Sequence, residues 1–250
     1  MRMYETTLIC TSNEQIILKS IKSSLENEIK NMGGIITIYN SNDKSCLCLA
    51  VPFKEKILIK NKIKRIIATQ ITIDKKYNYF KEHICVKTSD PVLKEAFYKA
   101  LAVFDKETDI EIIKEELKWT NKLFIDSFYN FKMFELYDRW HDISLLVTEN
   151  LNRLQLSGSF TELIKYLIKE NNDTIAELYI RFNDSCAEIF TNDKGNLVRA
   201  NSTDNSGKQE LISYLITTAP KKIFLINSTD ENKPLISTVK SLFENVVEFV

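Results

Sequence analysis

The C-terminal stretch Leu211–Val250 decides the fold class, and it reads LISYLITTAPKKIFLINSTDENKPLISTVKSLFENVVEFV. The continuous apolar run Ile223–Ile226 predicts a buried strand, because both faces of such a segment are apolar. Pro234–Glu244 has the pattern of a helix, and Val246–Phe249 predicts a final strand. Two strands joined by a helix of this length favour a parallel pair with a right-handed crossover. This end of the chain is therefore predicted to be a helix–strand–helix–strand unit.

Three more strands are predicted before this unit, where the apolar period changes from helical to alternating. The last two are joined by a turn that contains Asp193, Lys194 and Gly195. Ser206 and Gln209 have the spacing of a capping box and predict a helix start. The predicted elements are the strands Thr174–Phe182, Cys186–Phe190 and Leu197–Ala200 and the helix Glu210–Thr218.

The N-terminal part has a βαββ pattern. Ser12 and Gln15 predict a capping box for a helix that ends before Gly33-Gly34. Apolar residues recur every four positions along this helix, which predicts one buried face. The predicted elements are the strand Tyr4–Cys10, the helix to about Lys30, the strands Ile35–Tyr39 and Ser45–Val51, and the turn Asn40–Lys44.

The middle of the chain is predicted to be helical. A helix is expected over residues 57–68, although the Ile and Thr content of this region also permits a strand. Asp90-Pro91 predicts a helix start, with Asp as the cap and Pro at the first helical position. Thr108 and Glu111 predict a second capping box, followed by a helix through Ile125. Further helices are predicted along the apolar stripe Met133, Leu136, Trp140, Ile143 and Val147, and from Ser159 to Ile168.

These elements place the chain in the α+β class, with strands at both ends of the sequence and helices between them. We assign residues 1–85 to an N-terminal α/β part, 86–172 to a helical middle, and 173–250 to a C-terminal α/β part. The three parts are either separate or one integrated domain. The strands form either two sheets or one shared sheet.

Composition indicates an ordinary globular protein with no electrostatic bias. Basic and acidic residues balance at 34 each, so the whole chain does not favour nucleic acid or anionic lipid. The N-terminus does not have the pattern of a signal peptide, and no apolar stretch is long enough for a spanning helix, so a cytoplasmic location is expected. An odd number of scattered cysteines then indicates reduced thiols. The five cysteines are Cys10, Cys46, Cys48, Cys85 and Cys186.

Several short sequence segments, which we call phrases, resemble the YtxC family, which is assigned to sporulation in spore-forming bacteria. They are TTAPKK at Thr217–Lys222 before the apolar run, FDKET at Phe104–Thr108, LYDR at Leu136–Arg139, and FTELIKYLI at Phe160–Ile168. The resemblance covers Val86–Val250, and the first 85 residues match only in outline. It implies a cytosolic sporulation protein and supplies no active-site residues.

No familiar catalytic, cofactor or metal motif is present, so no such residues are predicted. Cys46 and Cys48 share one strand face, but zinc needs further ligands at matching spacing, and small buried side chains are the better interpretation. The segment Ser206–Lys208 has neither the preceding Gly nor the following Ser/Thr of a phosphate loop. His141 beside Asp138 is compatible with a general base, but a surface ion pair is the better interpretation, because such pairs are common.

An acidic cluster could also be a cation site, although acids in a first helical turn are common because they favour the positive end of the helix dipole. We prefer this second interpretation, in which the cluster is a solvated helix face. Its members are Asp105, Glu107, Asp109, Glu111, Glu115 and Glu116.

The basic segment Lys54–Lys81 is the best remaining candidate, with nine lysines or arginines against Glu55 and Asp74. On a helix, Lys60 and Lys64 lie on one flank of the isoleucine stripe and Arg65 on the other. Anionic lipid or nucleic acid is the ligand that such residues favour. The simpler alternative is a solvated helix that packs on its isoleucine stripe. The residues predicted for surface binding are Lys60, Lys62, Lys64 and Arg65.

Three functions follow in order of preference. The first is a non-enzymatic sporulation protein that acts through an unknown protein partner. The second is a module that binds an anionic membrane or nucleic-acid surface through residues 54–81. The third is an enzyme with an unrecognised site. No small-molecule substrate or cofactor is indicated.

Overall fold

The computed structural model describes residues 2–156, 159–171, 175–183, 185–191, 195–202, 204–227, 232–244 and 246–250. Within these residues the protein is α+β, as predicted, and its strands form two mixed sheets. The chain divides into two compact units, each built from two segments. The first unit contains residues 1–75 and 107–141, and the second contains 76–106 and 142–250. The predicted three-part domain division stays a prediction.

The first unit contains a four-stranded sheet with the order β2-β3-β1-β4. β1 pairs antiparallel with β3 on one side and parallel with β4 on the other, while β2 pairs antiparallel with β3. β1 is therefore an inner strand and β2 an edge strand. The elements are β1 (Met3–Thr11), α1 (Gln15–Asn31), β2 (Ile35–Asn40), β3 (Lys44–Pro52) and β4 (Lys122–Phe124).

The helix α1 buries the apolar face that its four-residue repeat predicts, and it packs on the sheet. Its start differs from the prediction. A 3₁₀ turn at Ser12–Glu14 precedes α1, and the Ser12 hydroxyl donates to the Asn42 carbonyl at 3.4 Å. The predicted capping box was wrong because the hairpin loop, which is distant in sequence, supplies the partner of Ser12. The helix ends at Asn31, before Gly33 as predicted, and the positive φ of 73° at Gly33 favours glycine.

The helices of the first unit begin with α2 (Lys56–Gln70), which confirms the helix expected over 57–68. A π-helical turn, Ile71–Lys75, follows α2 directly. The predicted helix from Thr108 through Ile125 was wrong, because α5 (Lys106–Glu116) ends early and β4 follows it. Leu123 of β4 is buried and lies opposite Leu8 of β1. This long-range pairing, which local pattern does not show, gives the segment its extended form. The unit also contains α6 (Ile125–Phe131) and the first part of α7 (Phe134–Leu156).

The second unit contains a five-stranded sheet with the order β7-β6-β5-β8-β9. The predicted parallel pairing of the last two strands is confirmed, because Ile223 lies opposite Val247. The predicted turn at Asp193 and Lys194 lies outside the described residues. The strands are β5 (Leu178–Asn183), β6 (Cys186–Thr191), β7 (Gly195–Asn201), β8 (Ile223–Ile226) and β9 (Val247–Phe249).

The helices of the second unit show one cap that was predicted and one that was not. The Asp90 carboxylate accepts from the N–H groups of Val92 and Leu93, as predicted for this Asp-Pro start. α9 begins before the predicted capping box, because the Asp204 carboxylate accepts from Gly207 N–H at 2.7 Å. The helices are α3 (Lys76–His83), α4 (Pro91–Val103), the rest of α7, α8 (Phe160–Lys169), α9 (Asn205–Thr218) and α10 (Lys233–Leu242). None of the described helices has the length and apolar content that a bilayer crossing requires.

Candidate functional site

A groove runs between α1 and α2 in the first unit, and we call it the α1–α2 groove. Its volume is about 450 Å³, which lies within the range of ligand-binding clefts. The α1 wall carries Ser20, Ser24 and Glu28, and the α2 wall carries Lys62, Arg65 and Gln70. The floor between them contains Leu25, Ile66 and Ile73.

Residues at helical spacings on α1 and α2 form the two walls of the groove. Ser20, Ser24 and Glu28 recur every four residues, so they form one row beside the apolar face that α1 buries on the sheet. On α2, residues 62, 65, 66 and 69 recur at spacings of three and four beside the buried stripe of Ile59, Ile63 and Ile67. Each helix therefore turns its strongly apolar face inward and leaves a mixed polar flank on the groove.

An ion pair joins the two walls. Lys62 Nζ lies 2.5 Å from one carboxylate oxygen of Glu28 and 2.6 Å from the other. Both side chains are partly exposed, at 40% and 31%, so the pair contributes only about 0–1 kcal/mol to stability. Its main effect is on the charge of the groove, because it neutralises Lys62.

Arg65 provides the cationic group that remains at the groove. Its Nη2 atom lies 3.9 Å from Glu107 Oε2, beyond hydrogen-bond distance, and 57% of its side chain is exposed. A guanidinium in this setting can donate two parallel hydrogen bonds to a carboxylate. The groove therefore combines an apolar floor with an exposed guanidinium that only a long ion pair with Glu107 engages.

The π-helical turn closes one end of the groove through Ile73. Such turns are rare and often occur at functional sites, because they add a residue to the helix and redirect the side chains around it. The Gln70 side chain donates to the Asp74 carboxylate across this turn. Within the described residues, the buried Thr72 hydroxyl has no hydrogen-bond partner, which makes the turn a costly local structure.

The other two predicted basic residues lie on the opposite flank of α2. Lys60 Nζ donates to the Trp119 carbonyl and Lys64 Nζ to the Lys114 carbonyl, each at 2.6 Å. Burial, followed by neighbouring lysine charges, lowers the pKa of both ammonium groups. The structure thus divides the four predicted residues into a partly buried pair that donates to backbone carbonyls, Lys60 and Lys64, and a groove pair, Lys62 and Arg65.

Phrases that carry the family resemblance contain buried polar contacts. In FDKET, the Phe104 carbonyl accepts from the buried Lys76 Nζ at 2.7 Å. In the acidic cluster, the fully buried Asp109 carboxylate accepts from Arg139 Nε at 3.3 Å and from Trp140 Nε1 at 3.1 Å. These contacts give the phrases a role in packing the helices.

The remaining candidates are dispersed. Cys46 is partly exposed and Cys48 exposed on β3, where the Thr7 hydroxyl lies 3.8 Å from the Cys48 thiol. Asp138 and His141 both lie at exposed positions of α7. Gly207 of the Ser-Gly-Lys segment lies inside α9, so the segment is helical. Among the described residues, no group of His, Cys, Asp and Glu side chains has the geometry to hold a metal ion.

A second, smaller cleft of about 300 Å³ lies beside the TTAPKK phrase in the second unit. The buried Asn171 amide donates to the carbonyls of Ile216 and Thr217 at 3.1 Å each, which caps the end of α9. Lys165 at the rim is paired with Glu162 and Glu244. The carbonyl end of α9 makes this cleft unfavourable for an anion, since helix C-termini carry partial negative charge.

These features define a two-unit α+β protein with a groove between α1 and α2. The model of the YtxC-like family matches residues 53–248. The chain belongs to the YtxC-like family. No curated protein and no solved structure matches the chain.

The basic residues of the α2 wall are predictable from the sequence, but the α1 wall of the groove is not. Glu28 and the two serines belong to an ordinary amphipathic helix, and nothing in their spacing predicts that α2 lies beside them. The sequence feature that could indicate the α1 wall is the opposite charge of Glu28 on α1 and Lys62 on α2. Many helices have such charges, so this signal alone does not select Lys62 and Glu28.

Proposed function

We propose that this protein is a non-enzymatic sporulation protein that binds a protein partner in the α1–α2 groove. Membership of the YtxC-like family supports the process. The single observation that carries the binding role is the groove itself, with an apolar floor, polar walls and an available arginine. Apolar anchors within a polar rim are the usual arrangement of protein-interaction sites.

The shape of the groove favours a short helical segment of the partner. Residues 62 to 70 of its α2 wall span about 12 Å at the helical rise per residue, which matches about two turns of a docked helix. Amphipathic helices bind such grooves through apolar residues spaced three or four apart. Because Glu28 already neutralises Lys62, the groove keeps the charge of Arg65. The partner segment is therefore expected to carry an acidic residue at that end.

Genetic complementation tests this proposal. Deletion of the gene in the spore-forming host is expected to reduce heat-resistant spores while vegetative growth stays normal. Wild-type protein should restore the spores, and Arg65→Glu should not, because it replaces the available cation with a repelling charge. Lys19→Glu is the matched control, since Lys19 is an exposed residue of α1 outside the groove lining. Immunoblots must show equal protein amounts.

Two outcomes would contradict the proposal. Normal spore counts after deletion would contradict a role in sporulation. Full rescue by Arg65→Glu would show that the groove is not the binding site.

A separate experiment measures the binding of purified protein to anionic vesicles and duplex DNA. Retention that is strong at low salt, falls steeply with added salt and is lost in Arg65→Glu would indicate a charged surface as the ligand instead of a protein.

A further inference from the structure

The edge strand β2 leaves one side of its backbone unpaired in the first unit. Ser41 N–H donates to the Lys44 carbonyl at 2.8 Å, which makes these two residues a hydrogen-bonded pair of the β2–β3 hairpin. Because such pairs alternate along an antiparallel ladder, Ile36, Ile38 and Asn40 direct their N–H and C=O groups away from β3. In the described part of the chain, these outward groups have no backbone partner.

The sequence of β2 lacks the features that normally protect an edge. It reads IITIYN, without a charge, a proline or a glycine. Natural edge strands usually carry lysine, proline or a bulge, because an uncharged flat edge is a template for another strand. Ile35 and Tyr39 are each 68% exposed on the same face. An exposed apolar edge of this kind indicates a pairing surface.

We propose that β2 pairs antiparallel with β2 of a second copy of the chain, about a two-fold axis at Thr37. This register places Ile35 opposite Tyr39 of the second copy and Ile36 opposite Ile38 of the second copy. The first is a favourable aromatic–β-branched pair and the second is an apolar pair. Outward backbone groups then face each other and form about four hydrogen bonds. The two four-stranded sheets become one continuous sheet.

The side-chain pattern favours a second copy over a foreign strand. Any extended peptide can satisfy the free backbone groups, but the order Ile-Ile-Thr-Ile-Tyr is complementary to its own reverse about Thr37. A shift of the axis to Ile38 would place Ile36 opposite Asn40 and would lose this match. The edge lies in a different part of the unit from the α1–α2 groove, so the inference is independent of the proposed function.

Cysteine cross-linking tests the register. Thr37→Cys, in a chain whose exposed Cys48 and Cys85 are replaced by serine, places two thiols at a non-hydrogen-bonded pair with a Cα–Cα distance of about 4.5 Å. This distance permits a disulfide. Asn40→Cys in the same background is the matched control, because the two Asn40 Cα atoms would be about 20 Å apart. Mild oxidation should link Thr37→Cys into a dimer at least tenfold faster than Asn40→Cys.

The mass in solution provides the second measurement. Light scattering should give twice 29.1 kDa for the wild type at high micromolar concentration. Thr37→Lys should give the monomer, because two like charges then lie directly opposite each other. Cys48→Lys should remain dimeric, since Cys48 lies on β3, one strand inside the edge. A monomeric wild type, equal cross-linking of the two cysteine variants, or dissociation by Cys48→Lys as well would each overturn the proposal.

Discussion

At the scale of single residues, Cys10 shows how burial sets the chemistry of a side chain. It lies on the buried face of β1 and is 1% exposed. Burial raises the pKa of its thiol to about 12, and the nearby carboxylates of Asp126 and Glu14 act in the same direction. Cys48 and Cys85 are exposed. A reagent for thiols should therefore reach those two in the native protein and Cys10 only on unfolding.

The raised pKa of Cys10 predicts a loss of stability in alkali. Between pH 9 and 12 the unfolded thiol releases its proton while the native thiol keeps it, so the native state binds more protons and stability falls as pH rises. Above pH 9 this single group contributes about 1.4 kcal/mol per pH unit to the decline. Urea unfolding from pH 8 to 10.5, with reductant present, should show a shallower decline for Cys10→Ala than for the wild type.

The exposed Cys48 provides the control for this measurement. Tyrosines whose pKa values are raised by burial, such as Tyr4, also weaken the fold in alkali, but they do so equally in both proteins. Cys48→Ala should therefore keep the wild-type slope. Identical slopes for Cys10→Ala and Cys48→Ala would show that Cys10 is not protected from ionisation.

At the scale of elements, the end of α9 depends on a residue far away in the sequence. Ala219 follows the helix with a φ of 40°, a left-handed conformation that normally favours glycine. Its N–H donates to the Leu215 carbonyl, and the Asn171 amide satisfies the carbonyls of Ile216 and Thr217. The TTAPKK phrase is therefore ordered by a buried amide that lies just after α8.

Two substitutions at this helix end are expected to change stability in opposite directions. Asn171→Ala leaves buried carbonyls without their donor and should lower the free energy of unfolding by about 1–3 kcal/mol. Ala219→Gly relieves the left-handed strain and should raise it by as much as about 1 kcal/mol. Urea denaturation measures both, with Asn61→Ala at an exposed position of α2 as the control. A destabilised Ala219→Gly would contradict the strain argument.

At the scale of the whole molecule, the family match and the first unit have different boundaries. The match begins at residue 53, whereas the four-stranded sheet takes β1, β2 and β3 from the residues before it. β4 would lose the strand that it pairs with if those residues were removed. The helix α2 would also lose α1, which packs beside it. The matched region is thus not expected to fold fully without the N-terminal strands.

A fragment of residues 53–250 tests this expectation. Compared with the full chain, it should bind a hydrophobic dye more strongly and be cleaved by protease within α2, because the buried Ile59, Ile63 and Ile67 lose their cover. Cleavage sites are identified by mass spectrometry. Protection of α2 in the fragment equal to that in the full chain would show that the matched region is autonomous.

Local pattern predicted most elements, the Asp90 cap and the pairing of the last two strands, but it missed other caps and strand partners. The period of apolar residues identified α1 and α2, and the parallel pairing of the last two strands followed from the helix between them. Three predicted capping boxes failed. The Ser12 hydroxyl donates to the distant Asn42 carbonyl, α5 begins at Lys106 ahead of Thr108, and Asp204 caps α9 ahead of Ser206. The basic residues of the candidate site were found by charge, and helical spacing placed Lys60 and Lys64 on one flank of α2 and Arg65 on the other. The partners that each flank contacts were not predicted.

The sequence by itself determined the α+β class, the family resemblance and the positions of most helices and strands, because periodicity and turn chemistry act over a few residues. Only the tertiary structure decided that α1 and α2 form a groove, that Lys60 and Lys64 donate to backbone carbonyls while Arg65 lines the groove, and that β2 is an unprotected edge. The physical reason is that these properties depend on contacts between segments far apart in the chain. Such contacts leave no local periodicity by which the sequence could reveal them.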